Sequence, residues 1–301
     1  MRYSLNYLLY SFIIVFLTAC GGGDGEITVT KISSFEASAT TIVKGSSVNL
    51  TAVFTNGTAS INNDVGAVSS NVAKTVTPDV TTTYILKVTN YLGASITSSV
   101  TVTVLSTYNI FPPNFFGVYN NGTVNFTGSD TDDANHTATL LEESGTDKIT
   151  DVQTFKTIDE TLLITNVTGG NTTTGQLSHQ YWTNDVNNLK YVGYEIPGDG
   201  SSAIADSNSV MPITADIGDS GTMGSYLRSN GSTFTITWQL VADTGVNAKY
   251  ITTTVSKVAD SLDYTATVTS TINQAGKIFS QEIVIIYHWD SDRTLTLTST
   301  P

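Results

Sequence analysis

The sequence alternates apolar and polar residues in short runs, and this pattern fixes the class of the fold. Ser47-Val48-Asn49-Leu50-Thr51-Ala52-Val53-Phe54 alternates and then meets Asn56-Gly57, as a strand does on entering a tight turn. Thr82–Thr89 alternates again, and Ile96–Val104 closes the segment. No stretch here has helical periodicity of useful length, so residues 27–105 are expected to form a small antiparallel sandwich. Residues 106–114 hold Pro112-Pro113 and are expected to be a linker, since proline fixes φ and removes a donor.

Residues 115–301 carry longer strands. Candidates are Phe115–Tyr119, Thr123–Phe126, Thr137–Leu141, Leu162–Thr165, Gln176–Trp182 and Leu189–Ile196. Gly221–Arg228, Phe234–Val241, Ala248–Val258, Leu262–Ile272, Lys277–Trp289 and Arg293–Ser299 follow, joined by short turns as in an up-and-down meander. Ile278, Ile283, Ile285 and Tyr287 give one of these strands an apolar face, which must be covered. No amphipathic helix of sufficient length exists to cover it. The cover is therefore a second sheet, the same sheet closing into a barrel or half-barrel, or a ligand. The fold class expected is all-β, a sandwich followed by a larger antiparallel β domain.

The N-terminus differs from the rest. Arg2 precedes the apolar run Leu8–Leu17, which is too short for a bilayer span of roughly 20 residues and reads as a secretory signal. The run ends in Leu17-Thr18-Ala19-Cys20, which resembles the lipobox of bacterial lipoprotein signal peptides. The resemblance implies removal of residues 1–19, a diacylglyceryl group and palmitate on Cys20, and anchorage in the cell envelope. Gly21 follows in place of the aspartate that marks inner-membrane retention, which leans the expectation toward the outer membrane. Residues 20–26 then make a glycine-rich tether. Cys20 is the only cysteine, so the chain has no intramolecular disulfide.

The segment 27–105 resembles bacterial immunoglobulin-like domains of the PKD-like and Big-like kind. The matching residues are Val43-Lys44-Gly45-Ser46-Ser47-Val48-Asn49-Leu50-Thr51, Thr77-Pro78-Asp79-Val80-Thr81-Thr82-Thr83-Tyr84-Ile85-Leu86, and Val88-Thr89-Asn90 with Gly93. The resemblance implies a spacer or adhesion module without catalytic residues. Tyr84 stands where its hydroxyl could cap a corner.

Charge excludes one class of partner. Asp and Glu number 26 against 13 Lys and Arg, for a net charge of -13, a balance that repels nucleic acid. Candidate chemistry is sparse. Gly218-Asp219-Ser220-Gly221 resembles the serine motif of chymotrypsin-like proteases, but Thr222 replaces the next glycine and no histidine box accompanies it. Asp130, Asp132 and Asp133 are candidate calcium ligands without EF-hand spacing, against the plainer reading of a solvated loop. His136, His179 and His288 share no metal-ligand spacing, and no cofactor is expected. Tyr181, Trp182, Trp238 and Trp289 could line a sugar or apolar ligand, although tryptophans of β proteins face the core more often.

Three functional readings follow, in this order. The first is a non-enzymatic, membrane-anchored envelope lipoprotein in which a spacer presents a β-rich domain to a protein or glycan partner. The second is a carrier of lipid or another apolar ligand in a cavity of the second domain. The third is an envelope hydrolase.

Overall fold

The computed structural model describes residues 29–111, 122–131, 134–151, 153–167, 172–197, 200–289 and 291–300. Cys20, Pro112-Pro113, Asp132-Asp133 and the predicted strand Phe115–Tyr119 lie outside them. The protein is all-β. In the N-terminal part, β1 (Lys31–Ala37), β3 (Val48–Thr55) and β6 (Lys74–Val76) make one sheet. The other has the order β2 (Thr41–Val43), β8 (Ser95–Leu105), β7 (Thr82–Thr89), β4 (Thr58–Ile61), β5 (Gly66–Val68). Alternation decides which way each strand faces: Val48, Leu50, Ala52 and Phe54 of β3 are buried, as are Tyr84, Leu86 and Val88 of β7. They share one core with Phe35 and Ile61. Tyr84 is thus a core side chain, 4% exposed.

The second part is a barrel. Its strands are β10 (Gly122–Asp130), β11 (Asn135–Ser144), β13 (Thr154–Asn166), β14 (Thr172–Thr183), β15 (Tyr191–Glu195) and β16 (Ser202–Asn208), followed by β18 (Ser220–Arg228), β19 (Thr233–Ala242), β20 (Ala248–Val258), β21 (Ser261–Ile272), β22 (Ile278–Tyr287) and β23 (Arg293–Ser299). The two-residue β12 (Lys148–Ile149) flanks β13. Each barrel strand pairs antiparallel with the next, and β10 pairs with β23, which closes a 12-stranded ring. Of the three covers the sequence left open, closure of the sheet on itself is the one found. β16 was not expected as a strand.

Local chemistry supports this path. β-branched residues fill β20, β21 and β23, where they fit the pleat. Ala259 and Asp260 adopt φ 46° and 66° in the two-residue turn between β20 and β21, the left-handed geometry that a tight hairpin needs. At the seam between β10 and β23, a Cβ on Gly128 would stand 1.8 Å from the Thr296 carbonyl oxygen, so only glycine lets the strands meet.

Register separates the two faces. Trp238, Thr252, Val268, Ile283 and Leu297 follow one another across β19 to β23 on the inside, as do Ile236, Thr254, Ala266, Ile285 and Leu295. Between them, Thr265, Thr267, Thr269, Thr294, Thr296 and Thr298 face outward. Ile251, Val255, Val284 and Ile286 share this outer phase with the threonines, so the face is mixed in character.

The segment expected as a linker is packed where it is described. β9 (Thr107–Asn109) pairs with β17 (Thr214–Asp216), a strand within the connection from β16 to β18. Tyr108 is fully buried and its hydroxyl donates to the Val246 carbonyl, 2.9 Å away, in the turn between β19 and β20. Asn109 N–H donates to Gln274 O, and Ile110 and Phe111 N–H to Ile213 O. Ile110 and Phe111 are buried. A linker of solvated residues would expose these rings, whereas burying them removes apolar area from water. The segment is therefore a strap across one barrel end. Val43 and Leu105 of the sandwich join the same core.

Candidate functional site: the bore of the barrel

The strapped end is filled. Trp182, Leu189, Tyr191, Met211, Met223, Tyr226, Trp238, Leu240, Ala248 and Ile272 pack there with Tyr108, Ile110 and Phe111. The rings touch in a chain: Phe111 to Trp182 at 5.9 Å, Trp182 to Tyr191 at 5.1 Å, Tyr191 to Tyr226 at 5.1 Å, Tyr226 to Phe234 at 4.8 Å. Tilted and stacked contacts of this kind add to burial.

Beyond this floor the packing loosens. Ile236, Thr252, Thr254, Ala266, Val268, Ile283 and Ile285 all point inward, yet part of each surface remains accessible. Leu140, Leu162 and Ile164 do the same on β11 and β13. They surround a smaller buried cluster, Phe126, Ala138, Leu295 and Leu297. Eight strands enclose a bore that side chains can fill, and diameter grows with strand number. Twelve strands make a wider ring than eight, and its inward residues stay partly accessible.

Polar groups stand inside the same wall. Glu142 on β11 lies directly across from Glu160 on β13. Burial raises the Glu142 carboxyl to about 8, and Glu160 adds repulsion. Burial also raises Glu160, although Gln180 donates to it at 2.8 Å and opposes the shift. Both residues are partly buried rather than sealed from the surface. Across the bore, Arg228 donates to the hydroxyls of Tyr194 (3.1 Å), Ser256 (2.8 Å), Tyr264 (2.8 Å) and Ser232 (3.2 Å), and its guanidinium lies 4.6 Å from the Phe234 ring centre. Ser256 in turn donates to Asp263 at 3.0 Å. This network holds Arg228 in one geometry.

The four aromatic candidates do not form one surface. Trp182 and Trp238 are in the floor core, 5% and 8% exposed. Tyr181 is on the outer wall, where it donates to Glu195 at 3.0 Å beneath the Lys148 ammonium, 4.1 Å above its ring. Trp289 is in the turn after β22, 68% exposed against Tyr287. Strand alternation puts the neighbours Tyr181 and Trp182 on opposite faces, so adjacency in sequence could not bring them together.

Of the three candidate calcium ligands only Asp130 is among the described residues. Asp130 is buried, receives hydrogen bonds from Arg293 and the Ala134 N–H, and lies 3.1 Å from His136 Nε2. Among the described residues no three His, Cys, Asp or Glu side chains converge on a metal position.

Ser220 opens β18 beside a turn in which Asp219 accepts from the Asp216 N–H at 2.8 Å. Around it runs an outer depression of about 390 Å³ lined by Gly221, Thr222, Thr237, Trp238, Gln239, Ile251 and Thr253. That lining carries no base for a serine nucleophile. Each histidine is held by an aspartate elsewhere: His136 with Asp130, His179 with Asp159 at 2.6 Å, His288 with Asp292 at 2.7 Å. Comparison of the chain with protein-family models, curated proteins and solved structures yields no match.

Proposed function

We propose that this protein is a cell-envelope lipoprotein, tethered through lipid on Cys20 and most consistent with the outer membrane, whose barrel binds an amphipathic or apolar ligand in its bore. The observation that carries the reading is the closed 12-stranded ring whose inward apolar residues stay accessible. A chain that leaves Ile236, Val268, Ile283 and Ile285 only partly buried forgoes hydrophobic stabilisation that a ligand would restore. Glu142, Glu160 and Arg228 supply polar contacts for one end of the ligand. The proposed role is binding; among the described residues the Ser220 depression holds no histidine, and each histidine is paired with an aspartate elsewhere.

The test is an apolar, environment-sensitive dye titrated into the folded chain. Saturable binding of one dye per chain is expected, with loss in Ile285→Asp while far-ultraviolet dichroism stays unchanged. A folded wild-type chain that gives no saturable signal would remove the bore as a site and leave surface recognition of a protein or glycan.

A further inference from the structure

The sandwich has two poles, and they are unlike. At one, Val43 and Leu105 pack on the barrel core and the Lys44 N–H donates to Leu105 O. β8 runs 11 residues from Ser95 to Leu105, so its other end lies about 33 Å along the strand from Leu105. That far pole holds the turn from Asn90 to Ala94.

The turn presents two large apolar side chains to solvent. Tyr91 is 83% exposed and Leu92 72%. The turn that holds them is braced. Asn90 Oδ1 accepts from the N–H groups of Leu92 (3.0 Å) and Ala94 (2.9 Å), and the Gly93 N–H donates to Asn90 O at 3.1 Å. The Asn90 side chain thus fixes the loop in an Asx-turn, with Gly93 at φ 85° completing it. Two exposed residues on a braced tip give a presented surface at little conformational cost.

The chain arrives at this same pole. Val29 and Thr30 bond to the turn at Asn56: Asn56 Nδ2 donates to Val29 O at 3.0 Å and Thr30 Oγ1 to Asn56 O at 2.8 Å. The next residue, Gly57, lies so close to Thr89 that a Cβ there would stand 2.8 Å from its carbonyl oxygen. Thr89 immediately precedes the Tyr91-Leu92 turn. Val29, itself 76% exposed, follows Cys20 by nine positions, a reach of at most about 30 Å.

Charge points the same way. Residues 20–105 hold four lysines against five carboxylates, close to balance, and exposed Lys31 and Lys87 lie near the far pole. Residues 106–301 hold eight basic against 21 acidic groups. An anionic bilayer therefore repels the barrel and tolerates the sandwich.

We propose that the Tyr91-Leu92 turn is a membrane-interface contact that seats the far pole of the sandwich in the headgroup layer of an anionic bilayer, with the barrel held away from it. The proposal takes its orientation from the reading that Cys20 is the anchored residue. Tyrosine suits that layer, because its ring is apolar and its hydroxyl meets water. Leu92 adds buried apolar area. Cys20 then fixes the distance to the membrane and the turn fixes the tilt.

The test separates the turn from lipidation. The chain from Cys20 onward, carrying Tyr91→Trp, is coupled through its sole cysteine to maleimide lipid in vesicles of phosphatidylethanolamine and phosphatidylglycerol. Emission is read as the difference from the coupled chain with Tyr91 intact, which cancels Trp182, Trp238 and Trp289. A blue shift and quenching by lipids brominated near the headgroup are expected, with both lost when Leu92→Ser is added. An introduced indole that emits as in water and resists quenching would overturn the proposal, and a protein partner would then be the occupant to seek. Whether cells lipidate Cys20 is read separately by palmitate labelling, so the two ideas fail independently.

Discussion

Glu142 and Glu160 face one another across β11 and β13 inside the barrel, two carboxyls in a cross-strand pair where opposite charges would ordinarily be favoured. Their burial holds both above the usual carboxylate range, with Glu142 near 8.

This arrangement predicts a pH dependence of stability. Below the ordinary glutamate value the folded and unfolded chains both keep the proton, and the pair exacts no penalty. As pH rises toward 8 the unfolded chain ionises Glu142 while the folded one does not, so stability falls across that window and levels off above it. Partial exposure of the pair lets solvent screen the charge and limits the effect to roughly 1–2 kcal/mol. Thermal melts of wild type and Glu142→Gln between pH 4.5 and 9 check this. The variant should match wild type at the acid end and exceed it at the alkaline end. Parallel curves would mean that the pair ionises freely.

Lipid attachment is the next prediction. Leu17-Thr18-Ala19-Cys20 closes an apolar run, and acyl chains on one cysteine make a stable anchor only in combination. Cells expressing Cys20→Ser should lose radiolabelled palmitate on the protein and release it from the membrane fraction. Undiminished labelling in that variant would end the lipoprotein reading.

How far the sequence went depended on whether a feature is local. β19 was legible because Phe234, Ile236, Trp238 and Leu240 face in while threonines separate them. β16 was not, since it offers only Ala203 and Ala205 to the inside and a bulge follows Ala205. Closure was one of several covers left open, because the pairing of β10 with β23 joins distant segments and leaves no local pattern. The carboxyl pair escaped notice although its phase was available. Glu142 is in step with Ala138 and Leu140, so it follows them inward, while Glu143 does not. In the strap, Pro112-Pro113 outweighed Tyr108, Ile110 and Phe111, whose apolar character argued against a solvated linker.

At Ser220 the structure gives reason to expect inertness. The hydroxyl begins an outer strand, and His136, His179 and His288 are each occupied by a different aspartate. A serine needs a base within hydrogen-bond reach before it attacks. A fluorophosphonate probe should leave the wild-type chain unlabelled. Labelling that vanishes in Ser220→Ala would promote the hydrolase reading.

The strap gives the last prediction. Tyr108 is fully buried, and its hydroxyl reaches the turn between β19 and β20, while its flanking backbone pairs with β17. Two changes separate ring from hydroxyl. Tyr108→Phe removes one hydrogen bond and leaves the Val246 carbonyl unpaired, a loss of about 1 kcal/mol. Tyr108→Ala removes the ring from the floor core, which costs about 3–5 kcal/mol by analogy with other large-to-small aromatic changes. Because Val43 and Leu105 share that core, the larger change should also weaken the hold between sandwich and barrel. Limited proteolysis then has a defined outcome. Wild type should resist cleavage between Ser106 and Phe111, where the backbone is paired, and Tyr108→Ala should be cut there and release two fragments. Cutting of wild type and variant at the same rate would show that the strap is a linker after all, and that sandwich and barrel are held together by the chain alone.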